Sequence, residues 1–449
     1  MIILSSFVFY KFFIMHDNSL SSQQKLTILL CIAISVVLCT FFQAHQLPHY
    51  DQGQMFERGI VAVFDNIYIP HGNEASTTSN VPGSLSSFII GFPMKIYFSL
   101  WSPMILLTFI KVISGLLFLN AVSKIYSPRT VTYAAALFFL NPWFLFESIS
   151  YNPSYLCLGA TLVLNSLVHL RCDIAKGQSS STYIQKIFFS ALAVLGIGWS
   201  LQFHFSWPVL LALCGLLWLR GSIKVSYLGL ALGIIIVAIS LIPYFNEVLQ
   251  EGFVDTSPAA YKNERYIGYG LVHVYPLFKA VLYWIRLGSL SLTHNALLQN
   301  PQEILGIAYN IIINILGGIT ALAAAYFNYK VLYKLKNEPR IHNFGRELSL
   351  CGLLATLIAA AAATLVLNYW QIIIMFVFCL FPILEIIERT SNINKGIVSA
   401  VVALAMVINI QASLSSEKYD LNAPALDKQL IDYCSNKYST EQCKIKAGL

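Results

Sequence analysis

The chain has 449 residues, 57% of them hydrophobic and only 11% charged, where a soluble domain carries about 25%. Net charge is +7 and mean hydropathy +0.67, and the apolar residues fall in blocks of about 20, the length that crosses a hydrocarbon core about 30 Å thick. This excludes a soluble globular enzyme, since too little polar surface remains to cover so many apolar helices. It also assigns the surplus Lys and Arg to loops at a membrane face rather than to a nucleic acid.

Residues 1–14, MIILSSFVFYKFFI, lack the basic start and the small-residue cleavage site of a signal peptide. Two readings stay open for them: an upstream extension with Met15 as the start, or a short interfacial helix. Residues 1–25 then form a cytoplasmic N-terminus, and 26–414 a membrane domain. Its expected spans are 26–44, 104–123, 130–147, 154–170, 187–204, 207–219, 226–244, 304–326, 348–367, 370–387 and 397–414, about eleven in all. With 15–25 inside, the mostly basic loops 124–129, 171–186, 220–224, 327–347 and 388–395 also fall inside, as the positive-inside rule requires. The outer side receives 45–103, 148–153, 245–303 and the tail 415–449, with most of the Asp and Glu. Segments 84–101 and 275–290 are short, and each holds a Pro and a mid-segment Lys. They are expected to be interfacial or re-entrant helices; counting both as spans is the alternative and leaves the termini where they are. The fold class expected is an all-α polytopic membrane protein.

The first outer loop, HQLPHYDQGQMFERGIVAVFDNIYIPHGNEASTTSNVPG, is long for a connector, and such loops are usually functional. It opens with His49, Tyr50 and Asp51. The spacing of Met55, Phe56, Ile60, Val63 and Phe64 predicts a surface helix over 52–65, ending at Asp65. Asp51 at its start is either a helix cap or a reactive carboxylate. The second outer region sets Lys262, Arg265, His273 and Arg286 among tyrosines. That pattern suits a phosphate at headgroup depth, and equally a solvated loop anchored by interfacial aromatics. Glu147 and His204 lie at outer span ends, where an ionisable group is a functional candidate or is simply solvated. Seven of the nine cysteines sit in or beside spans, while Cys434 and Cys443 lie in the polar tail, where an oxidising compartment permits a small disulfide loop. No Walker A, GxSxG, HExxH or dinucleotide fingerprint occurs, no metal site is indicated, and no cofactor is expected.

In order, the features are span 1 followed at once by HYDQGQMFERG, then PGSLSSFIIGFPMKIYFSLWSP, a span leaving through SKIYSPRT, a segment LNPWFLFES, and SLQFHFSW at the end of span 5. This order, over about residues 25–225, resembles the GT-C class of membrane glycosyltransferases, which includes protein O-mannosyltransferases and the aminoarabinose transferases of lipid A. The resemblance implies a polyprenyl-phosphate-linked sugar donor, a glycan or lipid-linked glycan acceptor, and Asp51 as general base. A second acid is expected at Glu147 or Asp65. Lys262, Arg265 and Arg286 would hold the donor phosphate, with His49, Tyr50, His204 and His273 as further site candidates. Two departures stand out: Asp51 is followed by Gln52 rather than a second acid, and Asn152 occupies the later acid position. In size and in its outer tail the chain is also similar to phage- or island-encoded glucosyltransferases that decorate bacterial O-antigen, which implies a bacterial inner membrane and a periplasmic site. An O-antigen ligase or polymerase, and a flippase for lipid-linked oligosaccharide, are the alternatives.

Overall fold

The computed structural model describes residues 20–48, 50–74, 80–173, 178–179, 181–252, 274–289, 304–333, 344–362, 367–390, 395–414, 416 and 418–449. Helix α1, Ser22–Ala44, starts on a capping box in which Ser21 and Gln24 satisfy each other's backbone N–H groups. The first outer loop carries α2 (Tyr50–Phe64), a hairpin of β1 (His71–Glu74) and β2 (Asn80–Pro82), and α3 (Leu85–Ile96). Then come α4 (Trp101–Ser123), α5 (Pro128–Phe139), α6 (Pro142–Phe146), a 3-10 turn Asn152–Tyr155 and α7 (Leu156–Leu170). A second short hairpin, β3 (Cys172–Asp173) with β4 (Gln178–Ser179), precedes α8 (Tyr183–Leu201), α9 (Pro208–Leu219), α10 (Tyr227–Ser240) and α11 (Ile242–Glu251). The remainder is α12 (Val274–Leu287), α13 (Ile304–Tyr333), α14 (Phe344–Ala362), α15 (Tyr369–Ile372), a 3-10 turn Ile373–Met375, α16 (Phe376–Cys379), α17 (Phe381–Arg389), α18 (Lys395–Leu414), α19 (Leu426–Ser435) and α20 (Thr440–Ala447).

Among the described residues seven helical segments are long and apolar enough to cross a membrane, or eight if α10 and α11, bent by 50° at Leu241, count as one. Most expected spans fall on these helices, but prolines reshape several. The span expected at 130–147 is two helices, because Pro142 has no N–H to continue α5 and the Asn141 side chain instead accepts from the Trp143 N–H at 3.0 Å. Residues 370–387 form four short helical pieces rather than one, with Pro382 in the first turn of the last. Pro243 likewise opens α11. The 207–219 segment is a helix of only 12 residues, and α13 runs on to Tyr333, past the expected boundary. Segments 84–101 and 275–290 both contain short helices, α3 and α12. The two hairpins are additions to an otherwise all-α expectation.

Many large apolar side chains stand open on the long helices, among them Val37 (66%), Ile236 (51%) and Ile319 (56%). Helices apolar on every side face either a core or lipid, and these face outward. The two ends of the bundle use polar groups differently. At the basic end, Arg220 clasps Glu347 through Nε (2.6 Å) and Nη2 (3.0 Å). There too Tyr126 donates to Glu385 at 2.7 Å, and Ser127 and Thr130 hydroxyls donate to Glu388. These pairs staple helix ends. The opposite end carries α2, α3 and the C-terminal tail.

Helix α2 lies tightly on α3. A Cβ at Gly59 would come within 2.5 Å of Ile90 Cγ2 and 2.8 Å of Met94 Sδ, and one at Gly91 within 2.5 Å of Ala62 Cβ. Small residues at the crossing let the two backbones approach, as in other membrane helix pairs. Gly59→Leu overpacks this contact, with an expected loss of about 1–3 kcal/mol seen as a lower melting temperature in detergent. Gly215→Leu, where a Cβ meets nothing within 4 Å, is expected to leave melting unchanged.

Candidate functional site

The chain leaving α1 is clamped by the chain leaving α18. Gln46 and Tyr419 form an antiparallel bridge, Leu47 N–H donates to Lys418 O at 2.8 Å, and Asp420 N–H donates to His45 O at 2.9 Å. From α19, Gln429 Nε2 adds a hydrogen bond to Gln46 O at 3.0 Å. The tail therefore fixes the stretch that delivers Asp51. Asp51 lies in the first turn of α2, where the helix dipole favours a carboxylate. Its carbonyl accepts from Asn73 Nδ2 at 2.6 Å, and Asn73 Oδ1 accepts from buried Arg58 at 2.5 Å. Gln52, the next residue, is fully buried and donates to Gln46 Oε1 at 2.5 Å. This explains why no second acid follows Asp51: a carboxylate there would be an unpaired buried charge.

Lys418 points inward beneath this clamp. Its ammonium lies 3.2 Å from Glu147 Oε1 and donates to Tyr151 OH at 2.7 Å. The rings of Tyr151, Phe146 and Tyr369 surround it at 4.3, 4.5 and 5.4 Å. Burial lowers the Lys418 pKa, while Glu147 first, and then Asp51, act to raise it. Burial and Glu147 hold the Tyr151 phenol well above its ordinary range, so it stays a neutral donor or acceptor. Tyr419 OH donates to Phe146 O at 2.5 Å, tying the tail to the turn that carries Glu147. From below, Lys111 of α4 donates to the carbonyls of Phe144 and Glu147 and to Ser148 Oγ. An ammonium within a span is expensive; here it caps the open C-terminal carbonyls of α6.

Arg286 of α12 approaches from the other side. Its guanidinium lies 5.2 Å from the Trp143 ring, Trp143 Nε1 donates to Arg286 O at 2.9 Å, and the Trp143 and Tyr369 rings are 5.2 Å apart. Burial brings its pKa down to about 10. Two buried atoms here have no hydrogen-bond partner among the described residues: Glu147 Oε2, an acceptor, and Arg286 Nε, a donor. Lys418, Glu147, Tyr151 and Tyr369 thus form one contiguous cluster built from the α6 turn, α15 and the tail; Arg286 of α12 adjoins it through Trp143, and Asp51 acts on it electrostatically. The arrangement supplies a buried cation within electrostatic reach of a carboxylate at a helix start, and an unused guanidinium N–H.

The other sequence candidates lie elsewhere. Asp65 is at the far end of α2 and accepts from Tyr438 OH at 2.6 Å, so it docks the tail. Tyr50 is exposed and donates to Glu74 Oε2 at 3.4 Å. Among the described residues the His204 ring bonds only to Ser206, to its Oγ at 3.0 Å and its N–H at 3.1 Å, and burial lowers its pKa to about 4. Cys434 and Cys443 form a disulfide that closes α20 onto α19. His49, Lys262, Arg265 and His273 lie outside the described residues. Asn152 is buried at the start of the 3-10 turn. No three His, Cys, Asp or Glu side chains converge among the described residues. Lys418, Tyr151 and Tyr369 are what sequence reasoning missed. No local signal marked them, since the outer segments carry several other lysines and arginines.

No protein-family model and no curated protein matches the sequence. Among solved structures, ArnT from Cupriavidus metallidurans bound to undecaprenyl phosphate is similar at 12% identity and a TM-score of 0.43, over 86% of this chain and 77% of that one. The archaeal oligosaccharyltransferase AglB from Archaeoglobus fulgidus, in complex with an inhibitory peptide and a dolichol-phosphate, is similar at 14% identity and a TM-score of 0.43. That match covers 95% of this chain, which spans 60% of the archaeal protein.

The Lys418–Glu147 pair gives a clean cycle. Lys418→Met leaves Glu147 buried without its cation, and removing one member of a buried pair costs about 3–5 kcal/mol. Glu147→Gln in the same chain removes the orphaned charge. The double variant is expected to melt well above Lys418→Met alone; equal melting temperatures contradict the pairing.

Proposed function

We propose that the chain is a membrane glycosyltransferase that takes a sugar from a polyprenyl-phosphate carrier and passes it to a hydroxyl of a cell-surface glycan such as O-antigen, at the periplasmic face of a bacterial inner membrane. The observation that carries this reading is the cluster itself. Asp51, a half-buried carboxylate at a helix start, acts electrostatically on the buried Lys418 ammonium, and the Arg286 guanidinium adjoins the same aromatic cage through Trp143 and Tyr369. It lies at the end of the bundle opposite the basic loops, where a lipid headgroup would meet it.

The chemistry is a single inverting displacement. The acceptor oxygen attacks C1 of the donor sugar and its proton passes to Asp51. The bond from C1 to the phosphate oxygen breaks, and the electron pair leaves with the lipid phosphate. A positioned carboxylate contributes about 10²–10⁴-fold as a general base. The leaving phosphate needs charge stabilisation rather than a strong acid, and Arg286 Nε is an unused donor that carries a positive charge. Glu147 serves as the second acid of this arrangement by holding Lys418, whose positive charge Asp51 feels electrostatically. A flippase would line a path through the spans with polar groups, whereas the buried ammonium of Lys111 is already committed to carbonyls and Ser148.

Asp51→Asn is expected to reduce transfer from a polyprenyl-phosphate sugar by about 10²–10⁴-fold, with membrane insertion and melting temperature retained. Transfer at the wild-type rate in that variant sinks the mechanism.

A further inference from the structure

Beside the cluster, α2, the β1–β2 hairpin and the tail enclose an open groove of about 590 Å³. Sites for small ligands span about 300–1,000 Å³. On α2 the lining residues Tyr50, Gly53, Gln54 and Glu57 share one face at i, i+3, i+4 and i+7. Asp51 lies one residue round the helix from that face and in line with Arg58, seven residues on. The groove is thus continuous with the turn that carries the proposed base.

Its chemistry is specific. Tyr50 flanks it, and the Tyr433 ring lies so close to α2 that a Cβ at Gly53 would come within 3.0 Å of it. Aromatic faces of this kind offer an apolar surface beside a polar edge. Arg58 is 8% exposed; its two terminal nitrogens are spent on Asn73 Oδ1 and Gly72 O, at 2.5 and 2.6 Å. Its Nε is buried with no hydrogen-bond partner among the described residues, and so is Asn80 Oδ1, which also lines the groove. One is a donor and the other an acceptor. Buried polar atoms are normally satisfied, and a hydroxyl, which both accepts and donates, satisfies either. The lining carries both signs: Glu57 and Glu74 against Arg58 and Lys437, with His71 engaged by Glu247 at 2.8 Å. A phosphate or an acidic polymer would meet two carboxylates here, and like-charge contact selects against it. An acyl chain would bury charges without pairing them.

We infer that this groove seats an uncharged oligosaccharide, with sugar rings against Tyr50 and Tyr433 and hydroxyls on Arg58 Nε and Asn80 Oδ1. The inference deepens the function proposed above, since it names the acceptor as a neutral glycan and gives the surface that presents it to Asp51. It rests on that reading for its role but not for its test, which reads binding alone.

The probe is a set of short neutral oligosaccharides cut from the surface polysaccharide of the cell that carries the gene, titrated against the full chain in detergent micelles by saturation-transfer NMR. Saturable binding is expected in the wild type and in Asp51→Asn alike. It is expected to weaken about tenfold, one hydrogen bond's worth, in Asn80→Ala, and comparably in Tyr50→Ala, whose side chain is exposed enough to be dispensable for folding. No saturable binding by the wild type, equal affinity in all variants, or tighter binding of an acidic oligosaccharide each overturns the inference. Binding that persists while Asp51→Asn still transfers sugar supports the groove and removes only the assignment of Asp51 as base.

Discussion

A buried ammonium must find its compensation inside the protein, because little water can reach it. Lys418 finds it in the Glu147 carboxylate, the Tyr151 hydroxyl and three ring faces. The same residue's carbonyl accepts from Leu47, one step before the loop that carries Asp51. Burial of that ammonium, closure of the tail over the first loop and placement of Glu147 are therefore a single structural event. Without the tail, the stretch from His45 to Leu47 would lose its cross-chain backbone partners and the cluster its central charge.

The two ends of the bundle put charged groups to contrasting uses. At the basic end each buried carboxylate is matched, Glu347 by Arg220 and Arg346, Glu385 by Arg389 and Tyr126. These contacts hold helices together. At the other end the matching is incomplete: Glu147 Oε2, Arg286 Nε, Arg58 Nε and Asn80 Oδ1 are all left without hydrogen bonds among the described residues. Unsatisfied groups cost stability, and their concentration around Asp51 marks that end as the one built for ligands. The unused atoms divide by chemistry, with a guanidinium N–H next to Trp143 and a donor and an acceptor in the neutral groove.

Much of the architecture was legible because bilayer thickness and the 3.6-residue period constrain composition directly. Most of the spans and the surface helix after Asp51 follow from those two lengths, although the eleven spans expected exceed the seven or eight found among the described residues. The Cys434–Cys443 pairing lay open for the same local reason, two cysteines in one short polar segment. The breaks at Pro142 and Pro382 were written in the sequence too, but runs of apolar residues masked them. Lys418 was illegible for a different reason. Its partner Glu147 is 271 residues away, and no local pattern distinguishes a lysine that folds inward from one that sits in solvent. Gln52 is similar: its departure from a second acid was visible, but its cause, a buried contact with Gln46, is tertiary. The hairpin that holds Arg58 and Asn80 is short and irregular, so the groove it closes had no sequence signature.

The account turns on whether the positive charge at Lys418 serves Asp51 or merely neutralises Glu147. The direct measurement is the rate of sugar transfer by the Lys418→Met, Glu147→Gln double variant, compared with wild type at equal amounts of folded protein. The account predicts that transfer stays lost although the fold is recovered, because Asp51 no longer feels that positive charge. Transfer at the wild-type rate would show that the pair only fills a hole in the structure, and would contradict the site described here.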